Sequence, residues 1–516
     1  MIDVRRPGQR TLGEGLMEEE TADLWEPWMR QADQVLHDGH LVNAVYEALL
    51  KRSPQSRTCG RRGVAAEIVL RMLLLKHIRN WSFAELEREV RPNLLYREFT
   101  RNGSGKVPDA KTLGRQAQAL GPEVVEQAHP RVVAVAVENK VVRGRKMRVD
   151  TTVVETNIHY PTDSSLLGDG DRVLRRRMKK ATAIAGAAGT KLRDSMRSVQ
   201  RRVAEIARAS RTKGEKGKAK LDLLYPKLLE ITGRVMGQAR RFSGEIGCGL
   251  KRSSDILQQA KLQGLKAQID DMLDTVQKVV HQAKARVFGG DTHVPGELLS
   301  VFERATEVIR KGKASKPTEF GKMLKVQEAE SRIVIAFKVY DRKPSASDLL
   351  IPAIRNHQKR TGLVPDLAAA DAGFLSAKNE AEAQEMGVKR VSVPNRSTKS
   401  LARRQHQRQR WFKKGQQWRT GCEGRISLLK RRHGLRRSLY KKQAGMQCWV
   451  GLGGIADNRD QHRQSRGEVA HQPRKSVLRA PADSLRRGVF ASSGLLGFRA
   501  ARTPLGRRGI FAPDSS

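Results

Sequence analysis

The order of local patterns predicts a mixed α/β core, preceded by a helical module and interrupted by a long all-α insertion. Three observations carry this class. Residues 41–127 show a helical apolar period with capping signals between segments. β-branched patterns occupy 147–156 and return from Phe320 onward. Between them, from about 173 to 310, the period is helical again and the composition is very basic.

Each element follows from its residues. Residues 1–40 are polar with a few aromatics and are read as an N-terminal extension. The segment GVAAEIVLRMLLLKHIRN sets Val64, Ile68, Met72 and Leu75 on one helical stripe that stops at Asn80 and Trp81. Ser82 with Glu85 makes a capping box that opens a second helix, which ends before Pro92. A third helix starts near Asp109, and Gly121-Pro122 breaks it. Short helices carrying Arg61, Arg62, Arg71, Lys76, Arg79, Lys111 and Arg115 resemble a helix-turn-helix layout. Residues 41–130 are therefore expected to bind DNA; the alternative is a plain helical bundle with solvated basic faces.

The run MRVDTTVVET reads as a strand. In the insertion, assigned to 173–311, Val199, Val203 and Ile206 form one stripe and Leu221, Leu224, Leu228, Ile231 and Val235 another. The Lys-Gly-rich TKGEKGKAK between them reads as a loop, giving a helical hairpin or small bundle. KMLKVQEA and SRIVIAFKVY then read as a hairpin turning near Glu330-Ser331. A helix (346–360), the strand DLAAAD, a helix (376–386) and the strand VKRVSVP follow. The basic stretch NRSTKSLARRQHQRQRWFKKGQQW, with Trp411 and Trp418 interleaved, reads as a loop and a candidate DNA contact. Hairpin followed by alternating helices and strands is a mixed sheet with a parallel portion; the core is assigned to 145–172 and 312–458. After Asn458 the sequence loses its period and fills with Arg, Ser and Pro, so 459–516 is expected to be a disordered basic tail.

The formal charge of +45 on 516 residues points to a polyanionic partner, because so basic a chain repels itself. Ribosomal or chromatin-like proteins share that composition. The four cysteines (Cys59, Cys248, Cys422, Cys448) form no CxxC pair, so neither a zinc site nor a disulfide framework is expected. The N-terminus lacks a signal peptide's apolar core, and no apolar run approaches the roughly 18 residues of a membrane span. A cytoplasmic, nucleoid-associated protein is expected.

Three acids stand in odd places. Asp150 lies inside a β-branched strand, where Asp is depleted. Asp371 closes DLAAAD just before Gly373 and a helix, and ligands bind at strand ends in open α/β sheets. In RTGCEGRISLLK, Arg419, Glu423 and Lys430 fall within about 40° of one another on a helix, on the stripe that also carries Ile426. Each has a bland explanation: an edge charge, a cap and an ion-pair partner. Together they offer hard oxygen ligands for two Mg²⁺ or Mn²⁺ ions acting on a phosphodiester, with Arg419 and Lys430 on phosphates. Glu155, Asp163, Asp169, Asp171 and Asp291 remain alternative ligands.

The segments DTTVVETNIHYPTDSSLLGDG, KPTEFGK, AADAGF-SAKNEA, VPNRSTKS and RTGCEGRISLLKRRHGL resemble insertion-sequence transposases of the DDE type, close to the ISNCY group, from about Leu41 to Asn458. The resemblance implies an α/β RNase H-like catalytic core with an N-terminal helical (helix-turn-helix-like) domain and a large all-α insertion. It implies Asp150, Asp371 and Glu423 as the catalytic, metal-binding triad, accompanied by Arg419 and Lys430. Gln416 stands where such proteins have a tyrosine. The implied reaction is metal-dependent cleavage at transposon ends and joining of the 3′-hydroxyl to target DNA. The implied partners are terminal inverted repeats, target DNA and further copies of the chain. The sequence past Asn458 departs from the family, which suggests a frameshifted C-terminus whose removal leaves folding unchanged. The competing readings are a catalytically silent DNA-binding relic and a structure-selective nuclease on the same core.

Overall fold

The computed structural model describes residues 1–5, 15, 19–52, 54–185, 192–250, 255–292, 294–310 and 318–465. The tail from 466 onward, where most of the expected disordered segment falls, lies outside the described residues. The first helices are α1 (Pro27–Leu36), α2 (Gly39–Arg52), α3 (Ala66–Arg79), α4 (Phe83–Val90), α5 (Leu94–Phe99), α6 (Ala110–Ala119) and α7 (Pro122–Glu138). The capping signals act as read. Asn80 closes α3 in the left-handed region (φ 55°), and Ser82 and Glu85 exchange both bonds of the capping box. Asp109 caps α6, and Pro122 occupies the first turn of α7.

The helical core reaches further back than Leu41, because Trp28, Met29 and Leu36 of α1 pack with Met72 and Leu75. Helix α3 does not have the predicted one-sided stripe. Every residue from Ala66 to His77 is buried, since neighbours cover it on all sides. Arg71 and Lys76 are therefore internal rather than solvated. Arg71 pairs with Glu67 (3.0 Å) and Asp33 (2.6 Å). Lys76 lies 4.4 Å from the Trp449 ring, and burial lowers its ammonium to about 8.

After strand β1 (Lys146–Thr156), the insertion forms four helices: α8 (Asp163–Ala185), α9 (Met196–Ala209), α10 (Glu215–Leu250) and α11 (Ile256–Val287). They enclose a core of their own around Leu174, Phe242, Ile269 and Val276. Two expectations are corrected here. Most of TKGEKGKAK is the exposed start of α10, because Lys, Glu and Ala are good helix formers. The insertion also ends in a strand, β2 (Glu307–Arg310), that joins the sheet. Its short length hid it from any periodicity test.

The sheet continues with β3 (Thr318–Glu328), β4 (Val334–Val339), β5 (Leu367–Ala369), β6 (Arg390–Ser392) and β7 (Arg437–Ser438). Helices α12 (Leu350–Thr361) and α13 (Ala377–Glu385) connect the parallel strands. Strand β3 pairs antiparallel with β1, with β4 and with β2; β1 pairs parallel with β5 and with β7; β5 pairs parallel with β6. Strand β5 contacts β1 only at Lys146–Arg148, and β7 only at Glu155–Thr156. The edge of β1 between them is a notch.

The basic stretch read as a loop is largely helical, as α14 (Leu401–Arg408) and α15 (Arg410–Arg432). Ser400 caps α14 through the Arg403 amide, and Lys, Arg and Gln favour the helix without an apolar stripe to announce it. The last helix, α16 (Lys442–Ser465), carries the apolar segment predicted before Asn458 and continues past it. It packs on α3, α7 and β4, so Trp449, Leu452 and Ile455 share a core with the N-terminal helices. The helical module is thus not a separate tethered domain. The described residues up to Ser465 fall in one compact unit. No helix among the described residues is long and apolar enough to cross a membrane.

Candidate active site

Register brings the first two acids together. Arg148 pairs with Ala369 across the parallel β1–β5 ladder, so two residues further on each chain Asp150 and Asp371 are neighbours. Asp150 lies in the notch, and Asp371 follows the end of β5. Helix α15 crosses the same sheet face. Its buried side is Phe412, Gly415, Arg419, Cys422, Arg425 and Leu429. A Cβ at Gly421 would collide with Nη1 of Arg148, and one at Gly415 would lie 2.8 Å from the Ser392 hydroxyl. Glycine at both positions lets the helix approach the sheet closely.

Arg419 links helix to strand. Its Nη2 donates to Glu423 Oε1 at 2.9 Å, and its Nη1 lies 3.4 Å from Asp150 Oδ2. Asp150 Oδ1 accepts from the Thr151 amide at 2.7 Å. Arg396 reaches Asp371 at 3.4 Å. The Asp150 side chain is 13 % exposed, whereas that of Glu423 is 57 % exposed. Burial holds the Asp150 carboxyl above its ordinary range; the Thr151 amide and Arg419 oppose this, while Asp371 and Glu423 add to it. The three acids therefore interact electrostatically at one place. Among the described residues, however, no group of three His, Cys, Asp or Glu is arranged to hold a metal ion.

The sequence-stripe expectation for α15 is corrected in part. Of Arg419, Glu423 and Lys430, only Arg419 is buried; Glu423 is exposed and Lys430 is partly buried. The alternative acids are engaged elsewhere. Asp163 binds Arg286, Asp169 binds Arg172, and Asp171 is buried in the insertion core. Glu155 pairs with Arg437 and points to the other sheet face from Asp150 by strand alternation. Asp291 is exposed beyond the end of α11.

Support beneath the acids was missed. Arg148, two residues before Asp150 and so on the same face, pairs with fully buried Glu328 (Nε–Oε2 3.0 Å) and donates to the Trp418 carbonyl. Arg425 pairs with Asp457 at 2.8 Å, where burial raises the carboxyl to about 6. Gln416 donates to the Ser392 carbonyl at 2.6 Å and to that of Ala370, tying α15 to the strand ends beside Asp371. The period-two alternation of β1 was the available signal for Arg148. Nothing local marked Gln416.

The predicted DNA contacts divide. Trp418 is partly buried like Trp411, with its ring 4.9 Å from the Arg148 guanidinium. Trp411 stays partly exposed beside His406 and Arg390. Arg79 is held by Glu26 and by the Trp28 and Tyr96 rings, so it is not a free phosphate ligand. Arg61 and Arg62 are exposed in the loop before α3.

Residues 28–118 match the model of a transposase domain (DUF772). The match supports a transposase-family assignment. It covers α1 to α6 and stops short of Asp150, Asp371 and Glu423. No curated protein matches the chain, and no solved structure does. A transposase acts on DNA, and the charge of +45 accords with that partner.

Proposed function

We propose that the chain is a DDE-type DNA transposase of the ISNCY-like group with an RNase H-like core. The observation that carries the reading is that Asp371 and Glu423 both act on Asp150 beside the notch in β1, with Arg419 bridging Asp150 to Glu423 and Arg396 on Asp371. A hairpin on one side of β1 and two parallel strands on the other support the fold assignment.

The acids present only oxygen donors, which suits Mg²⁺ or Mn²⁺ in type. Asp150, Asp371 and Glu423 would hold the ions, with Asp371 and Glu423 turning inward from exposed positions and Arg419 releasing Asp150. Two such ions would supply activation of a water or 3′-hydroxyl and stabilisation of the leaving oxygen. Arg419, freed from the acids, and Lys430 would then neutralise phosphate oxygens, the arginine through its bidentate fork. Arg148 and Gln416 hold α15 at its distance from the sheet, and Arg425 ties it to α16. Arg61, Arg62 and Trp411 would contact DNA, since all three keep solvent-exposed surface. Terminal inverted repeats and target DNA would be the substrates of a homo-oligomeric assembly.

The test is divalent-metal-dependent cleavage and joining on DNA carrying the sequences that flank this gene, at fixed salt and matched occupancy. Glu423→Gln is expected to abolish both steps, by roughly 10³-fold or more, while DNA binding persists. Equal activity in wild type and variant would reject the assignment. A second reading, a catalytically silent DNA-binding relic, draws on Arg419 neutralising two of the acids; binding without cleavage by the wild-type chain would favour it.

A further inference from the structure

The sheet face opposite Asp150 carries an unbalanced cluster of cations. Lys325 on β3 stands across the antiparallel ladder from Lys338 on β4, a pairing that like charges make unfavourable. Lys325 is 4 % exposed, and among the described residues no acid or carbonyl pairs with its ammonium. It lines a cavity of about 370 Å³ where β4 meets α7 and α12. Arg360, His129, Asn356 and Gln447 line the same space, and the Phe337 ring walls it, edge-on to His129 at 4.9 Å. The Nε of Arg360 is buried there with no hydrogen-bond partner among the described residues, while His129, lowered to about 3 by burial and by Arg360, is neutral and bonds the Val334 backbone. Glu126 is the acid among the lining residues, and it is exposed.

Burial lowers the Lys325 ammonium to about 8, with Lys338 adding to the effect, and lowers Arg360 with no acid in opposition. A buried cation without a counter-charge is costly, so an arrangement of this kind fits an anion that completes it. We propose that this cavity binds a phosphate group, with Lys325 deepest, Arg360 at mid-depth and Lys338 at the mouth. Three cations match a dianion better than a carboxylate, and the arginine fork suits two phosphate oxygens. The site lies on the reverse of the sheet from the acids and needs no metal, so it stands or falls independently of the transposase reading.

The test is calorimetric titration of the full chain with inorganic phosphate, against chloride at matched ionic strength. One saturable event per chain is expected. Lys325→Met and Arg360→Gln should each weaken it by about tenfold or more, from loss of a charge-assisted bond. Lys359→Met, removing an exposed charge next to Arg360, should change it by less than about twofold. Lys325→Met should also melt higher than wild type without phosphate, because an unpaired buried ammonium is gone. Should it fail to fold, Arg360→Gln carries the test alone. Unsaturable uptake alone, or wild-type affinity in Arg360→Gln, would overturn the proposal. Competition with a single-stranded oligonucleotide, with and without a 5′-phosphate, separates the sources. Displacement by the phosphorylated form alone assigns the site to a nucleic-acid end; displacement by neither assigns it to a small phosphate.

Discussion

Arg148 and Glu328 illustrate how an acid-bearing face is supported from below. Both are nearly devoid of solvent contact, and the guanidinium also holds the Trp418 carbonyl. Arg148→Met should destabilise the chain by about 3 kcal/mol, because it strands a buried carboxylate. Adding Glu328→Leu should recover most of that loss in urea unfolding; no recovery would mean the pair acts through packing alone. At this scale the oddity of Asp150 was legible, since an acid in a β-branched strand has few uses, whereas the inward stripe expected for Glu423 is not where the helix buries its side chains. Trp418 and Arg79 share one ambiguity. An aromatic among bases suits a DNA surface and equally an internal cation–π contact, and only three-dimensional placement separates the two.

Among the elements, the insertion bundle holds its own titratable group. Asp171 is fully buried, accepts from the Thr232 hydroxyl at 2.9 Å, and is raised by burial to about 7. Its unfolded value is near 3.9, so the folded state binds the proton more tightly. The stability this contributes is complete below about pH 4 and is lost as pH rises through about 7. Asp171→Asn should keep the Thr232 contact and raise stability at pH 8, by at most on the order of 4 kcal/mol. Its advantage should vanish near pH 4, and a pH-independent difference in thermal unfolding would refute the assignment. Helix ends marked by cap residues were legible, as Asn80 after α3, the Ser82–Glu85 box of α4 and Asp109 before α6 show. Helix α15 was only half legible, because its buried side is built of Gly415, Arg419 and Arg425 as well as Phe412, Cys422 and Leu429. A stripe that is half polar gives no hydrophobic period.

For the whole molecule, α16 is the joint. It shares apolar side chains with α3 and α7, and its Asn458 holds both the amide (2.7 Å) and the carbonyl (2.8 Å) of Val334 on β4. Asn458→Ala removes both side-chain bonds to the Val334 backbone, leaves its amide without that acceptor, and should cost roughly 2 kcal/mol. Ending the chain after Ser465 keeps every contact described here and should leave Tm unchanged. Ending it at Asn458 removes the helical turns beyond Asp457 and Asn458, and Tm should fall, contrary to the expectation drawn from composition. Equal Tm for the two truncations would show that those turns add nothing.

The chain's local code set the capped ends of α3, α4 and α6, the β1 strand, the β3–β4 hairpin and the total charge. These depend on neighbours a few residues apart: caps, turn residues, and periods of two or 3.6. Tertiary structure alone decided that the N-terminal helices share a core with α16, that β2 joins the sheet, and that Arg419 stands between Asp150 and Glu423. It also placed Lys325, Arg360 and His129 around one cavity. Those contacts join residues tens to hundreds of positions apart. No local pattern encodes them, because their energy comes from burial and pairing that exist only once the chain has closed on itself.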